Sequence, residues 1–260
     1  MTQEQINKIL ASHKEWMKGT GVERADLRGA DLRGANLWDA DLRDADLRDA
    51  DLRDANLYGA DLCGADLRDA DLRVADLRDA NLRDADLCGA DLRDADLRDA
   101  DLRDANLRDA DLRDANLCDA DLRVANLCGA DLCVANLCGA DLRGVRHDER
   151  TAFYAMQCPE KGAYIGYKKA GGKIVELEIQ EDAKRSSATT RKCRASKAKV
   201  LSITSIDGEE HFEEAKSNYD NSFVYEVGET VEVKDFDENR WNECSAGIHH
   251  FITRGEAERY

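Results

Sequence analysis

From residue 25 to residue 144 the chain repeats one five-residue phrase without insertion or deletion: Ala, then Asp or Asn, then Leu, then usually Arg, then usually Asp. Twenty-four copies fit, with Ala first in each copy (Ala25 to Ala140) and Leu third (Leu27 to Leu142). A period of five matches neither the 3.6 of a helix nor the alternation of a strand, so ordinary helices and sandwich strands are excluded. Fixed-period self-similarity predicts a solenoid, in which each unit buries its apolar residues only by stacking on its neighbours. Leu is the only large apolar residue common to all copies, so it fills the axis, and Ala beside it is small enough to let the wall turn. Burial of each Leu stabilises by about 1.5–3 kcal/mol, so the array carries its own core. The fourth and fifth slots are expected to face solvent.

An uninterrupted run of Ala-(Asp/Asn)-Leu-x-x resembles the pentapeptide-repeat family. The resemblance implies a mainly β fold, a right-handed quadrilateral β-helix with four repeats per coil. Twenty-four repeats would then make six coils, and at about 4.8 Å per coil a rod on the order of 29 Å long.

The formal charge of the chain is −17. The array contributes −14 of this, from 16 Arg against 30 Asp, while residues 1–24 contribute +1 and residues 145–260 contribute −4. No stretch approaches the roughly 18 apolar residues of a membrane span and no apolar leader follows Met1, so the expectation is a bacterial cytoplasmic protein without a membrane partner. Of nine cysteines, six occupy the fourth slot: Cys63, Cys88, Cys118, Cys128, Cys133 and Cys138. An odd total without a leader predicts reduced thiols.

Residues 2–17 read as an amphipathic helix, opened by a Thr2/Gln5 capping box and ended by Gly19 and Gly21. Its position makes it the lid on the open edge of the first coil. The repeat register stops after Gly144. Beyond it, residues 163–170 and 173–179 flank Gly171-Gly172 as a hairpin, residues 200–206, 223–227 and 229–233 read as strands, and residues 247–252 lead into a short helix opened by Thr253 and Glu256. The predicted organisation is a capping helix and entry over 1–24, the solenoid over 25–144, a connector over 145–162, and a small β-rich α+β domain over 163–260. The run Asp182-Ala-Lys-Arg-Ser-Ser-Ala-Thr-Thr-Arg-Lys-Cys-Arg-Ala195 and the segment Cys244-Ser-Ala-Gly-Ile-His249 are similar to an uncharacterised domain that follows pentapeptide repeats in bacteriophage and bacterial proteins. That resemblance implies a phage or prophage setting and carries no activity.

Chemistry has few footholds. Residues 184–199 hold seven basic residues and no acid, interleaved with Ser and Thr. Lys184, Arg185, Arg191, Lys192 and Arg194 are therefore the candidates for binding an anion, a nucleotide or nucleic acid. The competing reading has this loop pairing with residues 207–243, which hold thirteen acids. Cys244 and His249 form one loose Cys-x4-His pair, where zinc sites show two close pairs, so no metal and no cofactor is expected. A Cys/His nucleophile pair remains an alternative. No phosphate loop, serine elbow or paired metal-binding histidines occur, and the chain reads as a non-enzymatic interaction scaffold for an unknown protein.

Trp38 and Tyr58 lie twenty residues apart in the fourth slot, so a four-repeat coil stacks one above the other as a candidate partner surface. The pentapeptide resemblance implies an alternative, since some members imitate B-form DNA and bind type II topoisomerases in its place. A duplex of about 29 Å carries about 17 charges, close to the array's −14. Sorted by four, however, the faces carry −3, −4, −4 and −3, and 16 Arg break the acidic rows.

Overall fold

The computed structural model describes residues 1–20, 23–220, 222–243 and 245–260. The chain divides into two compact units, residues 1–155 and 156–260. In the first, parallel bridges join each second-slot residue to the one twenty positions on, from Asp26↔Asp46 to Asn126↔Arg146, so four repeats make one coil. Three backbone rungs per repeat tie neighbouring coils. In the repeat at 65–69 they are Asp86 N–H to Ala65 O (2.9 Å), Leu67 N–H to Asp86 O (2.7 Å) and Asp69 N–H to Cys88 O (3.0 Å). A fourth bond, Ala70 N–H to Leu67 O (3.1 Å), closes a turn within the repeat. Leu27 through Leu137 are at most 2% exposed, which places the leucine column inside.

That turn throws the fifth slot into the left-handed region, with φ between 50° at Asp39 and 75° at Gly129. Asp and Gly, which fill most copies of this slot, tolerate such angles. Val74, Val124 and Val134 stand there too, at φ 61°, 64° and 63°, with β-branched side chains that the region disfavours.

Helix α1 (Gln3–Met17) opens with the expected capping box: Gln5 N–H donates to Thr2 Oγ1 and Thr2 N–H to Gln5 Oε1. It closes the first coil through specific bonds. The Gln3 amide imitates a missing strand, donating to Asn36 O (2.9 Å) and accepting from Asn36 N–H (3.1 Å). His13 is fully buried and its Nδ1 accepts the Ala25 N–H at 3.0 Å. Ile6 is 1% exposed. Gly19 follows the helix with φ 75°, and Gly21 lies outside the described residues. At the far end the ladder runs past Gly144: Arg146 bridges Asn126, and Ala152 bridges Asp131 with one extra residue in the coil. Thr151 Oγ1 donates to Leu127 O (2.9 Å) there, and Gly129 N–H to Asp148 Oδ1 (3.0 Å). The opening of the expected connector is thus a further partial rung.

The second unit holds β1 (Tyr164–Ala170), β2 (Lys173–Ile179), β3 (Arg185–Ser187), β4 (Cys193–Ala195), β5 (Lys197–Thr204), β6 (Glu214–Lys216), β7 (Val224–Glu226), β8 (Thr230–Glu232), β9 (Ile248–His250) and α2 (Arg254–Arg259). These form antiparallel sheets β1-β2-β5-β8, β3-β4-β9 and β6-β7. The β1–β2 hairpin turns at Gly171 and Gly172, both at positive φ as a two-residue turn requires. Val175, Leu177, Ile179, Val200, Ile203, Tyr225 and Ile248 form the core. One expectation is corrected: the basic run is not a loop. Its residues build β3, β4 and the start of β5, because Ser186, Ser187, Cys193 and Ala195 are small enough to be buried there. Gly166 in β1 is required by packing, since a Cβ on it would sit 2.6 Å from Cδ2 of the buried His250.

Candidate functional site

The solenoid wall has an ionic grammar. Wherever a repeat reads Asp-Leu-Arg, in fourteen copies, the guanidinium folds back as a fork onto the Asp two residues earlier. At Arg73, Nε donates to Asp71 Oδ1 (2.8 Å) and Nη2 to Oδ2 (2.6 Å), while the backbone N–H adds a third bond (3.3 Å). In twelve copies the same Nε also lies 3.4–3.8 Å from the Asp of the next coil. The fork holds the carboxyls of Asp51, Asp71 and Asp91 below their usual range. Second-slot acid is therefore neutralised in place, and the net charge of the array rests chiefly on thirteen fifth-slot aspartates. Where the second slot is Asn, the fourth does not form this fork: it holds Trp38, Tyr58, Cys118, Cys128, Cys138 or an Arg (Arg83, Arg108) that turns to the following Asp instead.

Trp38 is 60% exposed, and Tyr58 is half-buried in the same column. The two rings do not stack. Instead, Arg78 of the next coil lies over the Tyr58 ring at 5.2 Å, and Asp79 takes the Tyr58 hydroxyl. The fourth-slot cysteines are half-buried between neighbouring coils rather than fully open, except the exposed Cys138. Burial, with Asp119 beside it, pushes the Cys118 thiol up to about 12.

In the second unit the five basic candidates are not brought together. Lys184 pairs with Glu238 and Arg191 with Glu256. The Arg185 guanidinium donates to Gly162 O (2.7 Å), Gln180 O (2.8 Å) and Pro159 O (3.1 Å). Arg194 is 1% exposed and donates to Asn239 O (2.9 Å), Ala246 O (3.0 Å) and Asp237 O (3.1 Å), pinning the backbone at these three residues to the sheet. Only Lys192 turns into a cavity, of about 410 Å³, shared with Lys168, Tyr219, Phe223, Tyr225 and His249. Strand alternation places Lys168 on the inner face of β1 with Gly166 and Ala170. Burial, then the neighbouring Lys192 charge, lowers the Lys168 ammonium to about 8. His249 contacts Glu243 O through Nε2 (3.2 Å), and burial with Lys192, Lys168 and Arg194 pushes it down to about 4, so it is neutral.

Cys244 lies outside the described residues, and the Cys244/His249 pair with it. The buried free thiols of Cys158 and Cys193 lie beside each other instead, a hydrogen-bonding contact that lowers Cys158 and raises Cys193. Beside them the Tyr164 hydroxyl donates to His250 Nε2 (2.9 Å), while His250 Nδ1 faces Ile248 O (3.0 Å). Among the described residues no group of three His, Cys, Asp or Glu is placed to hold a metal ion, and no helix is long and apolar enough to cross a membrane.

Residues 23–57, 55–94, 95–132 and 119–146 match the family described as pentapeptide repeats, eight copies. A pentapeptide repeat protein of known structure from Nostoc PCC 7120 is 39% identical over 42% of this chain and 84% of its own, with TM-score 0.32. The chain is a pentapeptide-repeat protein. Residues 154–257 match a family of unknown function, DUF5758. HetL, a pentapeptide repeat protein involved in heterocyst differentiation regulation in Nostoc sp. strain PCC 7120, is 40% identical over 48% of this chain, with TM-score 0.34. The match spans 62% of the length of HetL. QnrB1, a plasmid-mediated fluoroquinolone resistance protein, is 20% identical over 48% of this chain and 80% of its own, with TM-score 0.23. No curated protein matches.

Two features of this pentapeptide-repeat protein escape a reading of the sequence. The coupling of second and fourth slots is visible once tabulated, since Asp is followed two residues on only by Arg or Cys, but its meaning needs the fork geometry. Lys168 reads as one of two solvated lysines in a strand, and only the register of β1 turns it inward.

Proposed function

We propose that this chain is a non-enzymatic scaffold whose solenoid offers a rigid wall to a protein partner, and that it is phage- or prophage-encoded and works in the bacterial cytoplasm. In this reading the coil is right-handed and quadrilateral, residues 1–24 serve as capping helix and entry, and the partner engages the column of Trp38 and Tyr58. The observation that carries the proposal is Trp38, 60% exposed on a wall whose arginines are taken up by neighbouring aspartates. A large aromatic held open on a rigid frame costs little entropy to bury, which suits an interface anchor.

The acidic alternative, imitation of DNA toward a type II topoisomerase or another DNA-binding protein, depends on unneutralised carboxylates. The arginine forks remove most second-slot acids from that role, leaving the fifth-slot row of Asp79, Asp99 and Asp119 beside the aromatic column. A partner recovered with the wild-type chain should be lost with Trp38→Ala plus Tyr58→Ala and kept with the three aspartates changed to Asn, with weak dependence on salt. The reverse pattern, together with inhibition of gyrase supercoiling that the Asn variant loses, would establish mimicry and defeat the scaffold proposal.

A further inference from the structure

We propose that the cavity of the second unit binds a small organic dianion, a phosphate monoester carried on an aromatic ring, with Lys168 and Lys192 holding the phosphate. The site is built from inside the fold. Both lysines are 9% exposed and line the same space of about 410 Å³, a size ordinary for a small-molecule pocket. Lys168 has no hydrogen-bond or ion-pair partner among the described residues, and an ammonium withdrawn from water without a partner is costly to keep. Lys192 has one acid within reach, Glu243 at 4.0 Å, and that carboxylate also takes the Thr190 hydroxyl. A smaller recess of about 80 Å³ shares the two lysines.

The remaining groups around the cavity offset this charge only in part. His249 is neutral. Asp220 stands exposed in the lining, with its carboxylate turned onto Ser222, accepting from the backbone N–H at 2.8 Å and from the hydroxyl at 2.5 Å. The Ser217 hydroxyl accepts from Tyr219 N–H (3.3 Å) and keeps its own proton to donate. Two ammonium groups and a hydroxyl call for a doubly charged head, for which a carboxylate is one charge short. Phe223, Tyr225 and Val233 supply an apolar wall for the body of the ligand, and Tyr260, already 5.5 Å from the Lys192 ammonium, a further ring. Two lysines recessed in a cavity suit a small molecule and not the backbone of a nucleic acid, whose phosphates are met by charges on an open surface.

Titration calorimetry on the full chain at fixed ionic strength tests this with three probes: phenyl phosphate, inorganic phosphate and benzoate. Phenyl phosphate should bind at least about tenfold more tightly than either of the others, because it alone supplies two charges and a ring. Lys168→Met and Lys192→Met should each weaken it by about tenfold or more, and Lys184→Met, which changes an exposed lysine paired with Glu238, should leave it unchanged. Lys168→Met removes a buried charge, so a melting temperature at or above that of the wild type certifies its fold; Lys192→Met gives an independent reading. Absence of binding at millimolar phenyl phosphate, equal affinity for benzoate or inorganic phosphate, or full affinity in Lys168→Met would each overturn the proposal.

Discussion

Replacing Lys168 by Met should make the second unit more stable, which is the opposite of what most substitutions at a buried position do. The side chain is 9% exposed, and burial with the nearby Lys192 lowers its ammonium from 10.5 to about 8. At about 1.36 kcal/mol per pKa unit this corresponds to a penalty on the order of 3 kcal/mol while the group is charged. Met keeps the unbranched apolar stem and discards the charge, so about 2–3 kcal/mol should be recovered at neutral pH, or about 10 °C in the transition of a unit this size. The dependence on pH has a defined sign. Because the folded pKa lies below the unfolded one, the unfolded chain binds more protons between about pH 8 and 10.5, so wild-type stability gains from this group as pH rises through that window. Below about pH 8 the penalty is fully present. The advantage of Lys168→Met should therefore be constant below pH 8 and vanish toward pH 10.5. His249 stays neutral throughout and so does not contribute to the difference. Scanning calorimetry from pH 7 to 10.5 on both chains measures it. A variant less stable than wild type, or an advantage that does not shrink with pH, would show that Lys168 is not a desolvated, unpartnered charge.

The coil period makes a second expectation: deleting residues 65–84 removes one whole coil and should leave a folded chain, whereas deleting residues 65–69 displaces every later repeat by one column and should lower the melting temperature. Equal tolerance of the two deletions by circular dichroism would contradict the twenty-residue coil. Leu87→Asp, which buries an unpaired carboxylate in the column, should cost several times more in urea unfolding than Arg93→Ala, whose pair is partly exposed and worth about 0–1 kcal/mol. Val74→Asn should stabilise by about 1 kcal/mol, since Asn accepts the left-handed φ of 61° that strains a β-branched residue; a loss of stability would mean the Val side chain contributes more than its backbone costs.

The solenoid was legible because its core is written by an invariant: Leu in every third slot and Ala in every first can only be satisfied by stacking, and the coil count follows once four repeats close a turn. What the period hides is conformation within it. The fifth slot looks like a solvated Asp, and its left-handed backbone is hinted at only by the recurrence of Gly there. The second unit was half legible. The β1–β2 hairpin announces itself through Gly171-Gly172 and the alternation of Val175, Leu177 and Ile179, while β3, β4 and β6 are three residues long and too short to show a period. The fate of the basic run was least legible. Arg194 is buried because carbonyls at 237, 239 and 246 converge on it, a long-range arrangement that local composition does not encode. Lys168 joins Lys192 for the same reason, through the folding of strands distant in sequence.

The three rungs that bind each repeat to the next coil also determine how the array comes apart. An interior coil is held on both sides by its neighbours, and near the C-terminal end of the array one ion pair, Arg150–Asp109 (3.2 Å), skips a coil and adds to the lock there, so interior amides open only after the coils between them and one end have been released. Opening is then a peeling process with a direction, and hydrogen exchange should slow progressively from either terminus toward the coil around Leu87. The Gln3 and His13 bonds of α1 set the resistance at one end, and the Asp148–Thr151 rung sets it at the other. Whichever of these locks is weaker decides the end from which the whole stack unravels.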